Sequence, residues 1–294
     1  MFAHQVIDDI SKQYYHHDEG YQKEIWLLLP AIKKSQCFHI EDIDSTLNSV
    51  KHDKKGMLFI DNAPFLKLPY KVCWFDSVLH DENFSKFGCL IFYVAEHILS
   101  TILFVFLKPH KKWMLLPIEY IFNTEKDFTA SQLKKIFPCT EPPRMLSSSG
   151  GFTKMLIKAL VPMANEEINS FANLGRKYLT AVENMILLLN CKNIETEKII
   201  APESLNKKRR KAGKQELFDY HVLNVVVPSK KSDYREATTP LSHNRVHLCR
   251  GHFKEYTAEH PLFGHYTGLF WWQPHVRGQN KDGIVMKDYN VRPN

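Results

Sequence analysis

No two of the six cysteines in this 294-residue chain stand as a Cys-x-x-Cys pair. Their scatter (37, 73, 89, 139, 191, 249) excludes a zinc ribbon and a secreted disulfide scaffold and suits a reducing cytosol. The glycine signatures of nucleotide loops are missing as well. There is no G-x-G-x-x-G and no G-x-x-x-x-G-K-[ST], so neither a Rossmann nor a P-loop reading holds. Internal repeats and extended low-complexity tracts are absent. The N-terminal "MFAHQVIDDISKQYYHHDEG" has early acidic residues and no long apolar run, so no signal peptide is expected. An uninterrupted membrane-length apolar run is also lacking. The one segment long enough, "FGCLIFYVAEHILSTILFVFLK" at 87–108, carries Glu96-His97 in its middle. A charge at the bilayer centre costs about 2.5–3.5 kcal/mol on insertion scales. The segment is rich in β-branched and aromatic residues, so two buried strands divided at "AEH" are expected, with no membrane partner.

What is present is a soluble-type composition, 44% hydrophobic and 24% charged, in a chain long enough to bury a large core as one domain or two. Its charge is uneven. From Asn206 onward there are sixteen Lys+Arg against eight Asp+Glu, while residues 1–205 hold 23 against 24. The whole positive excess lies in the last third, which points to a polyanionic partner.

Patterning divides the chain into four segments. Residues 1–56 read as a helical N-terminal segment. "GYQKEIWLLLPAIKKSQCF" has apolar residues at 25, 28, 29 and 32 with a break at Pro30, and "HIEDIDSTLNSV" suggests another short helix. Residues 57–136 are mainly β, rich in Val, Ile, Phe, Tyr and Trp. After the Pro/Ser/Gly-rich loop "FPCTEPPRMLSSSGG", residues 150–190 read as two helices meeting near 162–165. In the second, Ile168, Phe171, Leu174, Tyr178, Val182, Met185, Ile186 and Leu189 form an apolar stripe suited to a core. Residues 206–294 form a basic β region. All four segments fit within a single domain. The expected class is α+β, a mainly antiparallel sheet with packed helices, a helical N-terminal segment and a basic C-terminal strand pair.

Two features of the last third bear on function. Lys207, Lys208, Arg209, Arg210 and Lys211 are consecutive cations whose mutual repulsion keeps them solvated unless an anion sits among them. RNA phosphate is such an anion; nuclear import and a solvated loop are the other readings of such a run. The second feature is "HLCRGHF" followed by "GLFWWQPHVRG". As antiparallel strands these are expected to bring Arg250 and His252 near His275 and Arg277, with Pro274 interrupting the ladder. Arginine forks with Trp271 or Trp272 as a stacking face would suit RNA recognition. His252 and His275 as acid and base, with the arginines on phosphate, would suit a metal-independent endoribonuclease. The plain alternative is that a tryptophan and Phe253 fill the core. No metal site and no cofactor are expected from this donor set. "LPYKVCWFDS" adds Cys73, Trp74 and Asp76, which a Cys-His or Asp-based site could use if partners lay nearby. A peptide-binding groove in the 57–122 sheet is a third possibility.

The blocks "LPYKVCWFD", "LLLNCKNIE", "NKKRRKAGK", "FDYHVLNV" and "RVHLCRGHF…WWQPHVRG" resemble, in the same order, those of a family encoded by phages, prophages and plasmids. The closing pattern, Arg250-Gly251-His252-Phe253 and then Trp272-Gln273-Pro274, is similar to that of translation-dependent type V-A anti-CRISPR inhibitors. Phe253 and Lys254 depart from their "GHWH". The resemblance implies counter-defence in the bacterial cytoplasm. It further implies action on RNA or the translating ribosome and its nascent polypeptide, the N-terminal peptide of a CRISPR effector being one such target.

Overall fold

The computed structural model describes residues 2–13, 28–42, 66–124, 131, 144–146, 154–160, 164–226, 245–249, 251–272, 275–277 and 279–284. Helix α1, Ala3–Gln13, precedes a short helix α2 at 28–34 and strand β1, Gln36–Asp42. A meander follows: β2 (Val72–Val78), β3 (Phe84–Ala95), β4 (Ile98–Leu107) and β5 (Lys112–Asn123). Then come β6 (Arg144–Leu146), β7 (Lys154–Ala159), helix α3 (Asn165–Leu189), β8 (Ile194–Ile199), helix α4 (Glu203–Lys211) and β9 (Tyr220–Val225). The chain closes with β10 (Arg245–Cys249), β11 (His252–Tyr256), β12 (Gly268–Trp272), β13 (His275–Arg277) and β14 (Gln279–Ile284).

Strands β1 to β9 make one sheet of order β6-β7-β5-β4-β3-β2-β1-β9-β8. Only the β1–β2 and β1–β9 pairs are parallel, so the fold is α+β and mainly antiparallel, as expected. The 87–108 segment is the β3–β4 hairpin, turning at Glu96-His97 with His97 in the left-handed region at φ 60°. Among the described residues, no helix is long and apolar enough to cross a membrane.

Both faces of the sheet are covered. Residues Ala3, Val6, Ile7 and Ile10 form one stripe of α1 and pack over Trp74, Leu90, Ile102, Phe104, Trp113 and Leu115. On the opposite face, Tyr178, Leu179, Val182, Met185 and Ile186 of α3 pack over Phe75, Phe87, Leu103, Val105 and Tyr120. Glu167 starts α3 well: its carboxylate accepts the Ala164 N–H at 2.9 Å. Gly88 exists for the first of these cores, since a Cβ there would lie 2.4 Å from Cζ2 of Trp74.

Two expected helices and one expected loop are corrected. The "HIED" of the second N-terminal helix belongs to β1, a central strand buried at Cys37 and Phe38, and the rest of that stretch lies outside the described residues. Residues 154–159, expected to open the helical segment, are β7, paired with β5 and β6. The cationic run is not a loop but the second half of α4. Short apolar runs buried on both faces carry no period that separates strand from helix, and sheet pairing decides them.

Candidate functional site

Among the C-terminal strands two short ladders are antiparallel, and β14 adds to β10 in parallel. β11 pairs with β12, placing His252 opposite Trp272 and Phe253 opposite Trp271. β10 pairs with β13, placing Cys249 opposite His275 and His247 opposite Arg277. The two ladders keep one antiparallel register, so His252 stands three positions along the paired strands from the Cys249–His275 pair. Arg250, Gln273 and Pro274, which stand in sequence between the two ladders, lie outside the described residues.

Trp271 belongs to the core. It is 6% exposed, packs on Phe253 with ring centroids 4.7 Å apart, and joins the α3-side cluster. Its backbone is clamped by Asn193, whose Oδ1 accepts the Trp271 N–H at 2.9 Å and whose Nδ2 donates to the Trp271 carbonyl at 2.8 Å. Its ring offers no face to a base. Trp272 is half-buried opposite His252, and its indole N–H is buried without an acceptor.

The cationic run sorts itself by helical geometry. Arg209 bonds Asp8 of α1 at 2.5 Å, and Arg210 reaches Glu203 and Glu216 at 2.5 and 2.7 Å. Asp8 also accepts the Gln215 N–H at 2.8 Å, and Asn206 holds Leu217 by its backbone N–H at 2.7 Å, so the chain leaving α4 folds back along it. Lys207, Lys208, Lys211 and Lys214 are exposed, and none has a carboxylate partner among the described residues. The internal anions suppress the repulsion that would melt the run, and four lysines are left as an outward cationic surface.

A second constellation lies beside it, under α1. Parallel pairing of β1 with β2 sets His39 opposite Asp76. Asp76 is fully buried, and its carboxylate accepts the Phe2 N–H at 2.5 Å, the Trp74 indole N–H at 2.8 Å and His39 Nδ1 at 2.5 Å. The His39 ring is braced edge-on by Phe2 and Tyr220, with centroids 5.7 and 6.1 Å away. Asp76 was visible in the sequence; its partner was not, because His39 sits 37 residues away in a stretch expected to be helical. The two cysteines on these strands, Cys37 and Cys73, contribute no nucleophile. Cys73 lies on the other face of the sheet, and burial pushes the thiols of Cys37 and Cys73 up to about 12.

His4 completes the neighbourhood. Burial, with the Arg209 cation adding to it, lowers its pKa to about 4, and its Nδ1 is buried without a partner. The neutral imidazole is thus the folded form. Stability linked to His4 is complete above the ordinary value of 6.5 and is lost as pH falls toward 4. Relative to His4→Gln, the wild type is expected to lose about 2–3 kcal/mol over that window, at ~1.4 kcal/mol per unit. Urea titrations of both proteins at pH 7 and pH 4.5 check this; parallel losses would refute it.

Comparison of the chain with protein-family models, with curated proteins and with solved structures finds no match.

Proposed function

We propose that this protein is an RNA-directed counter-defence factor of a mobile element. In this reading it acts in the bacterial cytoplasm on RNA, or on the ribosome and its nascent chain, to lower expression of a target. The RNA contact is supported by one observation above the others: Lys207, Lys208, Lys211 and Lys214 stand exposed and unneutralised on α4 and its C-terminal turn, inside the third of the chain that holds all the excess positive charge. Phosphate contacts of this kind release counterions and give binding a steep salt dependence. The counter-defence role rests on the resemblance of residues 245–278. The peptide-groove alternative finds less support, because β2 to β5 are buried on both faces and leave no open sheet surface among the described residues.

Replacing the four lysines with glutamine is expected to reduce the slope of log affinity against log salt for single-stranded RNA by about 3, at roughly 0.7 per phosphate contact. Filter binding between 50 and 200 mM salt, about the range over which such contacts are read, measures it. An unchanged slope would remove α4 from the interface.

A further inference from the structure

We propose that His39 and Asp76 form a proton-transfer centre that cleaves RNA held by α4, an inference that rests on the RNA reading above. Asp76 has no solvent exposure and receives His39 Nδ1 at 2.5 Å, which fixes the ring's orientation and its tautomer. The working nitrogen is then Nε2. It has no hydrogen-bond partner among the described residues, and 15% of the side chain is open to solvent. A buried carboxylate behind a mostly buried imidazole with one edge open is the base-and-orienter half of a hydrolytic triad.

The other half would be a nucleophile: the Cys37 thiol of the same strand is kept protonated by burial, and the Ser35 hydroxyl is bonded to the Ile32 carbonyl. The nucleophile therefore comes with the substrate. RNA brings one to every phosphodiester, its 2′-hydroxyl. His39 Nε2 takes the 2′-hydroxyl proton, O2′ bonds to phosphorus, and the P–O5′ bond breaks. The departing 5′ oxygen takes a proton from water, and the imidazolium returns its own proton to solvent. The products are a 2′,3′-cyclic phosphate and a 5′-hydroxyl, with no other reactant consumed.

Helix α4 is tied to this centre through α1. Arg209 grips Asp8, one helical turn from His4; Phe2, at the start of the same helix, donates to Asp76. Tyr220, reached by the chain returning from α4, touches the His39 ring. Lys86 adds a cation on the far side of Phe2, with its ammonium 4.8 Å from the ring centre and bonded to Gln5 at 3.0 Å. In this proposal RNA bound by the α4 lysines follows α1 toward its N-terminal end, where Phe2 and the imidazole lie.

The test uses the full chain with end-labelled single-stranded RNA, and the same RNA carrying 2′-deoxy sugars. Wild type is expected to cut the ribose strand, leave cyclic-phosphate ends and spare the deoxy strand. His39→Gln is expected to lose about 10²–10⁴ in rate with RNA affinity unchanged. Added imidazole should restore part of the rate to His39→Gly, which a merely structural histidine would not allow. Binding without cleavage, or cleavage undiminished in His39→Gln, overturns the centre and leaves the RNA reading standing. Absence of both binding and cleavage overturns both.

Discussion

Asp76→Ala is expected to lower the unfolding free energy by about 3–5 kcal/mol, because one buried acceptor serving several donors is removed. Three donors are stranded at once: the Phe2 N–H, the Trp74 indole and His39 Nδ1. Trp74 has no solvent exposure, so its N–H cannot turn to water instead. An unmet buried donor costs about 1–3 kcal/mol, and here the start of α1 also loses its anchor. Asp76→Asn keeps one accepting oxygen and should fall between wild type and alanine. In a Trp74→Phe background the indole donor is already gone, so the same Asp76→Ala change should cost about 1 kcal/mol less. Urea unfolding of the four proteins completes the cycle. A loss under about 1 kcal/mol for Asp76→Ala would show that the carboxylate does not hold this face together.

Gly175→Ala comes next in size, at about 2–3 kcal/mol, and its sign is the informative part. In an exposed helix interior the same change would stabilise by nearly 1 kcal/mol, because alanine is the better helix former. Gly175 is instead where α3 meets β5. An added Cβ would lie 1.7 Å from the Tyr120 hydroxyl oxygen and 2.5 Å from Cζ. Tyr120 is fully buried and donates to the Phe171 carbonyl at 3.1 Å, so its ring cannot swing aside without losing that bond. Tyr120→Phe removes the oxygen that clashes and should recover part of the loss in the Gly175→Ala protein. Thermal unfolding of the single and double variants measures the coupling. A stabilised Gly175→Ala would mean that helix and sheet do not approach so closely.

Much of this architecture is legible in the residues themselves. Glu96-His97 divides an otherwise unbroken apolar run because a two-sided buried hairpin needs a polar turn, and the α3 stripe repeats at helical spacing because one face meets the sheet. The illegible parts share a cause. The "CFHI" of β1 owes its conformation to neighbours 37 and some 180 residues away, which no local pattern encodes. The same distance hid His39 from Asp76. The "KKRRK" run reads as repelling charge until Asp8, Glu203 and Glu216 are placed beside it, and only then does a helix become its stable form. Trp271 and Trp272 are adjacent in sequence and alternate across a strand, so only the docking of β12 on Asn193 assigns one of them to the core.

The position of β1 has a consequence for how the chain is made. The β2–β5 meander joins neighbours and can form as it is synthesised, with β1 laid along its edge soon after β2 exists. The other edge of β1 then waits for β9, and Asp8 waits for an arginine 201 residues further on. Until Tyr220 has left the ribosome, the second edge of β1 stands open, a template for pairing with other chains. Nascent chains stalled before that point should therefore be the aggregation-prone ones, and those released after it should not.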